Sequence, residues 1–360
     1  MLRIAFVGSV GVPARYGGFE TFVQEIGPRL VRRGFDVVVT CDATAYQEHP
    51  GSFQGCRLIW IPVRANGMLS VLHDTWALAT TCRRADVVLV LGVAGALAFP
   101  IARLLSRAKL VVNIDGVEWR RGKFGPIRRA LLRLFDAIAQ RSCHKIIVDN
   151  RALLPYVTAL KEGTTRVIPY GGDHVRRVEE PCERKCSDET PFALTICRIE
   201  PENNIELLIS GFLRSRCARY VIVGNWDSSA YGKQLRARYK ENPRLRLLEP
   251  IYDNDRLSTL RSGCSAYLHG HSVGGTNPSL VEMLYFDCPI FAYDCVFNRE
   301  TAGEAAEYFS DESQLACLLD GNLGRPPKSF SVRAAKRAEY AWGRIADAYA
   351  DAVLEVVGVK

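Results

Sequence analysis

Short apolar runs with no polar alternation recur along this chain, each followed by a stretch with helical periodicity. In the first half the runs are Ile4–Val7, Asp36–Cys41, Leu58–Pro62, Val87–Leu91, Leu110–Ile114, Lys145–Val148 and Val167–Ile168. A strand with one wet face alternates polar and apolar residues, whereas a strand covered on both faces does not. The runs therefore predict a doubly covered sheet, and the amphipathic segments Phe19–Arg33, Leu72–Cys82 and Ala94–Leu105 predict helices that cover it. Strand–helix alternation of this kind specifies a parallel, doubly wound α/β sheet.

The alternation pauses over Val175–Pro191, a charged stretch with two prolines and no apolar period, which reads as an exposed connection. It then resumes with strands predicted at Phe192–Cys197, Tyr220–Val223, Leu245–Leu248, Ala266–Leu268 and Ile290–Ala292. Helices are expected over Asn204–Phe212, Tyr231–Tyr239, Asp255–Ser262 and Pro278–Phe286. The expected plan is a first domain over residues 1–174, a linker over 175–191 and a second domain over 192–330. A long helical pattern, Val332–Val357, makes residues 331–360 a C-terminal helix packing back on the first domain. Length agrees, since 360 residues at about 150 per domain suit two domains.

With 48% hydrophobic and 24% charged residues there is material for two cores, which excludes disorder and fibrous classes. The net charge of +8 suits an anionic ligand or membrane surface without singling out nucleic acid. Twelve cysteines are scattered along the chain, several inside strand-like runs, and Cys182 and Cys186 lack a second pair at zinc-site spacing. They read as reduced thiols used as small hydrophobes, so no metal is expected. The N-terminus enters a buried strand without a leader's apolar region, and no run approaches the ~18 apolar residues of a membrane span. A cytosolic chain is expected.

Ligands of doubly wound sheets sit at the C-terminal ends of strands, and two such domains facing each other make a cleft there. Five segments stand in that position. Gly8–Glu20 opens a helix after the first strand, and its Gly17-Gly18 comes too late for a dinucleotide fingerprint. Its glycines serve either an anion or sugar, or only a turn. Asn113–Arg121 offers Asp115 as a general base or hydroxyl acceptor, or else as a helix cap. Pro126–Arg141 carries Ile127, Leu131, Leu134, Phe135 and Ile138 on one stripe amid many arginines. That pattern suits an anionic membrane surface, or a core-facing helix with a cationic back.

The fourth segment, Ile196–Asn204, ends a strand with Arg198, whose guanidinium can fork onto phosphate oxygens. The fifth, His269–Glu282, runs from a strand through a glycine-rich loop into a helix beginning near Asn277 or Pro278. Such a helix start favours negative charge. Glu282 is placed to accept from a ribose diol, and two histidines without a third ligand make a poor zinc site. Asp253 and Asp255 are read as the cap of the helix that follows rather than as a metal–diphosphate site.

Taken in order, YGGFET (Tyr16–Thr21), NIDGVEW (Asn113–Trp119), VIPYGGD (Val167–Asp173), RIEPENN (Arg198–Asn204) and HGHSVGGTNPSLVEM (His269–Met283) resemble the GT-B glycosyltransferases of family four. Within it they are similar to the rhamnosyltransferase-type branch of bacterial polysaccharide synthesis. The resemblance covers nearly the whole chain. It implies two Rossmann-like domains facing across a cleft, an N-terminal acceptor domain and a C-terminal nucleotide-sugar domain. It implies a retaining hexosyltransferase without metal or cofactor. The donor expected is dTDP-β-L-rhamnose, and the acceptor a lipid-linked saccharide at the inner membrane face.

Carried onto these residues, the resemblance makes Asp115, Arg198 and His271 catalytic. Gly17, Gly18, Arg198, His271, Ser272, Gly274, Gly275, Thr276, Asn277 and Glu282 bind the donor. Tyr16, Asp115, Glu118 and Trp119 bind the acceptor, and the Pro126–Arg141 helix meets the anionic membrane. Two positions depart from the family pattern: Asn203 stands where a lysine is usual, and Gly274 where a glutamate is usual. Alternatives are the same fold with a UDP- or GDP-sugar donor, a UDP-sugar epimerase, or a non-catalytic GT-B subunit.

Overall fold

The computed structural model describes residues 1–359 except 16, 115, 121–123, 159–162, 176–190 and 323–329. Two compact units are present, one formed by Met1–Arg120, Phe124–Tyr170 and Trp342–Lys360, the other mainly by Gly171–Ala341.

The first unit contains β1 (Arg3–Val7), β2 (Asp36–Asp42), β3 (Ser52–Phe53), β4 (Cys56–Ile61), β5 (Val87–Leu91), β6 (Lys109–Asn113), β7 (Lys145–Val148) and β8 (Thr165–Val167). They form one sheet in the order β3-β4-β2-β1-β5-β6-β7-β8, parallel throughout except for the β3–β4 hairpin. Its helices are α1 (Gly18–Arg32), α2 (Ser70–Thr81), α3 (Phe99–Leu105) and α4 (Pro126–Ser142). β5 is buried at every position, as its VVLVL sequence requires.

The second unit contains β9 (Phe192–Ile196), β10 (Arg219–Val223), β11 (Leu245–Leu248), β12 (Ala266–His269), β13 (Ile290–Tyr293) and β14 (Glu307–Phe309). Their order is β11-β10-β9-β12-β13-β14, all parallel. Helices α5 (Ile205–Arg214), α6 (Ala230–Tyr239), α7 (Asn254–Gly263), α8 (Pro278–Met283), α9 (Val296–Ala302), α10 (Glu312–Asn322) and α11 (Phe330–Glu339) belong to it. α8 is shorter than the expected Pro278–Phe286, and Asp253 Oδ1 caps α7 by accepting from Arg256 N at 2.8 Å.

The helix expected over Val332–Val357 is divided. α11 ends at Glu339 in the second unit, and α12 (Trp342–Val357) lies in the first. Opposing tertiary anchors explain the break at Tyr340–Ala341, just ahead of Gly343. Arg333 donates to the carbonyls of Phe286 and Cys288, and Tyr340 Oη donates to Thr301 O at 3.0 Å, so α11 is tied to the second unit. Trp342, fully buried, packs its ring 6.1 Å from Phe22 and 4.9 Å from Tyr170. Burying a side chain of that size contributes about 2–3 kcal/mol, enough to override local helix continuity. Farther along α12, Tyr349 Oη accepts from Asn113 Nδ2 at 3.0 Å, and Lys145 reaches Glu355 at 2.6 Å.

All ten described cysteines are free, and six of them are buried. Among the described residues no helix is long and apolar enough to cross a membrane.

Candidate functional site

Each sheet has one point where the chain reverses its direction of strand addition: between β1 and β5 in the first unit, and between β9 and β12 in the second. Loops leaving two such neighbouring strands run to opposite faces of the sheet, which opens a crevice at the strand ends. In the second unit these loops are Cys197–Asn204 and Gly270–Asn277, the fourth and fifth segments singled out from the sequence.

The two loops are laced together. Ser272 donates to Glu202 O through both its backbone N and its Oγ, each at 2.9 Å. Asn204 Nδ2 donates to Gly270 O at 2.9 Å. Gly270 is required by this closeness, because a Cβ there would lie 2.2 Å from Asn203 O. His271 Nδ1 and Asn203 Oδ1 are 2.7 Å apart, and Asn203 Nδ2 donates to Arg198 O at 2.6 Å. Asn203 thus bridges Arg198 and His271.

Arg198 is exposed, and its guanidinium has no ion pair or hydrogen bond among the described residues. A free, planar cation at a strand end is suited to an arriving phosphate. His271 is buried, and Gly274, at φ +130°, would carry a Cβ only 3.2 Å from His271 Nε2. The backbone of Gly274 therefore lies close over the imidazole, an approach that a glutamate at this position would crowd. Gly275 is half-buried and Thr276 buried. Asn277 Oδ1 accepts from Ser279 N at 3.0 Å and so caps α8, which uses the side chain rather than leaving it for a ligand.

Glu282 is buried on α8 and paired with Arg261 of α7, and its second oxygen lies 3.6 Å from His174 Nε2. Burying a carboxylate is tolerable only when it is paired and hydrogen-bonded, and Arg261 supplies that pairing. Neither Arg261 nor His174 was expected here. His174 follows directly on the VIPYGGD motif, which was the available signal. His269 at the end of β12 is buried, and burial holds its imidazole down to about 3, so the ring is neutral at physiological pH.

In the first unit the Gly8–Gly17 loop leaves β1. A Cβ at Gly8 would be 2.2 Å from Leu91 O, so the loop passes directly over the end of β5. Gly17 (φ +119°) and Gly18 are exposed at the start of α1, where no side chain caps the helix. Glu20, buried in the first turn, folds back so that its Oε1 accepts from Val10 N at 2.8 Å. It shapes the loop and was not singled out, although an acid in a first helical turn is a usable signal. Tyr16 and Asp115 lie outside the described residues.

Glu118 and Trp119 stand on a short turn, Glu118–Arg120, ahead of α4. The Trp119 ring is 6.2 Å from that of Tyr156, edge to face, and Arg133 of α4 lies over it at 5.3 Å. On α4 the predicted apolar stripe is split: Ile127 is 79% exposed, Leu131 49% and Leu134 52%, whereas Phe135 and Ile138 are half-buried. The N-terminal half of the stripe is thus exposed while its C-terminal half packs inward.

Among curated proteins no sequence matches the chain. The model of a family described as a domain of unknown function, DUF1972, matches residues 1–173. Solved structures match along the whole length. Sucrose-phosphate synthase from Thermosynechococcus elongatus has 16% sequence identity and a TM-score of 0.82, covering 99% of this chain and 100% of that one. A glycosyltransferase from Rickettsia africae has 14% identity and a TM-score of 0.76, covering 99% and 98%. HepE from Anabaena, solved in complex with UDP and glucose, has 14% identity and a TM-score of 0.73, covering 99% and 100%. At these identities the likeness is one of architecture, and it is sufficient for that: two parallel-sheet domains of α/β type give this chain the GT-B fold.

Proposed function

We propose that the chain is a retaining glycosyltransferase that moves L-rhamnose from dTDP-β-L-rhamnose to a lipid-linked saccharide. The observation that carries this reading is the laced pair of loops at the second sheet's switch point, where the unpaired Arg198 stands beside the glycine-rich approach to α8. In this reading Arg198 and the backbone amides of Gly274–Asn277 hold the donor diphosphate, and Glu282 accepts from the ribose. His271 and Ser272 lie against the donor sugar. Gly17 and Gly18 are likewise assigned to the donor, and Tyr16, Asp115, Glu118 and Trp119 to the acceptor.

No side chain of the set is an evident nucleophile, so the reaction proceeds on one face of the sugar. The bond from the anomeric carbon to the diphosphate oxygen breaks as the acceptor oxygen forms its bond on the same side. The acceptor's proton passes to the departing diphosphate oxygen. Charge grows on the diphosphate as this happens, and preorganised N–H groups with a guanidinium oppose it without a bound metal. The exposed stripe and arginines of α4 support an anionic membrane surface as the place where the acceptor is met, at the cytoplasmic face.

The likeness to a HepE structure holding UDP and glucose supports a second donor reading, a UDP-sugar, in the same site with the same chemistry. The test is titration with dTDP-rhamnose, UDP-glucose, UDP-GlcNAc and GDP-mannose, followed by transfer to a lipid-linked acceptor. A preference for dTDP-rhamnose is expected. Preference for a UDP-sugar would move the donor, and binding of none would favour a non-catalytic role.

A further inference from the structure

On the first sheet the connection from β1 to β2 runs one way along the strand order, and those from β4 to β5, β5 to β6 and β6 to β7 run the other way. Crossovers between parallel strands are right-handed, so α2, α3 and α4 share the face opposite α1. α3 packs against α4, and the turn Ala96–Ala98 that leads into α3 packs against both α2 and α4. These helices and the turns leading into them carry eleven of the fifteen large apolar side chains that are exposed among the described residues. We propose that this face docks on a lipid bilayer containing anionic phospholipid, with the apolar ridges of α2 and α3 inserted into one leaflet.

The outward side of a surface helix is ordinarily polar, and α2 departs from that rule. Its inward side is made by His73, Asp74, Ala77, Leu78 and Thr81, all buried. Its outward side, with the turn before it, presents Met68, Leu69, Leu72 and Trp76, and Met68 is 92% exposed. From Ala65 to Thr81 the only ionisable side chains are His73 and Asp74, and both face inward. Leading into and along α3, the outward residues are Leu97, Ile101, Leu104 and Leu105, and Leu104 is 84% exposed. Side chains that stand this far out form ridges, which sink into a deformable apolar medium without needing a shaped partner.

The charges beside these ridges select the kind of bilayer. Arg83 stands exposed just beyond α2, and Arg103 and Arg107 stand exposed on and just after α3. Val87–Ile114 contains no acidic residue, and the one acid of α4, Asp136, is half-buried. Asp86, the exposed acid that precedes β5, accepts from Arg3 N at 2.7 Å. Arg103 donates to the carbonyls of Ser142 and Cys143, bonds that leave its charge uncancelled. Apolar ridges bordered by arginines complement acyl chains beneath a negatively charged headgroup layer. A second copy of the chain docked face to face would set the same arginines against one another.

The inference deepens the membrane placement of the acceptor proposed above, and it is tested without donor or saccharide, so that either can fail alone. The full chain is titrated with vesicles of phosphatidylcholine mixed with phosphatidylglycerol, and with vesicles of phosphatidylcholine alone. Partition onto the anionic vesicles should be at least about tenfold stronger. Raising the salt from about 0.1 to about 1 M, which shortens the screening length from about 10 to about 3 Å, should weaken it. The exposed pairs L72S/W76S and L104S/L105S should each weaken partition by about tenfold or more while the melting temperature holds. Brominated phospholipid should quench the tryptophan fluorescence of the chain and quench Trp76→Phe less, which separates insertion from adhesion by charge alone.

No partition onto anionic vesicles, partition unchanged by both serine pairs, or equal quenching of Trp76→Phe would each overturn the proposal. So would self-association that L72S/W76S disperses in a chain that ignores vesicles, which would assign the face to a second copy. Vesicle binding by a chain that transfers no sugar would retain the face and remove the transferase reading. Sugar transfer by a chain that ignores vesicles would do the reverse.

Discussion

Asn203 Oδ1 lies 2.7 Å from His271 Nδ1, and the other end of the same amide donates to Arg198 O. A carbonyl only accepts, so the amide nitrogen must face Arg198 and the amide oxygen must face the ring. His271 therefore donates from Nδ1, and this bond orients the ring with Nε2 on the side of the Gly274 loop. Asn203 stands where the resembled family has a lysine, and here it orients a histidine instead.

Replacing Asn203 with aspartate puts a carboxylate at the same atom. It keeps an acceptor for His271 Nδ1 and should retain more of kcat than the alanine variant. Asn203→Ala should lower kcat about tenfold with a smaller effect on donor KM, since it frees the ring without touching the diphosphate. Steady-state kinetics on the two variants check both outcomes, and an unchanged kcat for Asn203→Ala would remove the positioning role.

Arg198→Ala should weaken donor binding by about 10- to 100-fold, the loss of a charge-assisted contact to phosphate. The same substitution should leave thermal stability within about 0.5 kcal/mol, because the side chain is exposed and unpaired. Calorimetry with the nucleoside diphosphate alone isolates this effect from any sugar contact.

Much of this arrangement was legible in the sequence, because it depends on local pattern. The unalternating runs VVLVL and VVVT could only be doubly covered strands, and the loops after β9 and β12 stood out by their glycines and their position. What escaped was pairing at a distance. Glu282 with Arg261 and His271 with Asn203 join segments that no periodicity connects. The two-residue β3 and the edge strand β14 carry too few apolar residues to register as runs. Division of the C-terminal helix at Tyr340–Ala341 has only Gly343 as a local signal, and tertiary anchors at Tyr340 and Trp342 fix its place.

Trp342→Ala should cost about 3–5 kcal/mol, combining lost burial with a cavity beside Phe22 and Tyr170. It removes the first anchor of α12 from the core of the first unit. Denaturant unfolding should show the loss in that unit, while Tyr340→Phe, which deletes only a hydrogen bond to Thr301 O, should cost about 1 kcal/mol.

Acid should destabilise the protein through His269. Its folded-state pKa is held at about 3 by burial, below the ordinary 6.5, so the unfolded chain takes the proton first as pH falls. Stability from this group is complete above pH 6.5 and is lost progressively down to about pH 3, amounting to about 2 kcal/mol by pH 5. His269→Phe should flatten that part of the melting-temperature profile. His144, lowered to about 4 chiefly by burial, acts in the same direction and keeps some slope in the variant.

The most direct measurement is calorimetric titration of the purified chain with dTDP-rhamnose beside UDP-glucose, UDP-GlcNAc and GDP-mannose, repeated with Arg198→Ala. The account predicts saturable binding, tightest for dTDP-rhamnose, and its loss by about 10- to 100-fold in the variant. Absence of binding to every nucleotide sugar, or binding that Arg198→Ala leaves unchanged, would contradict it.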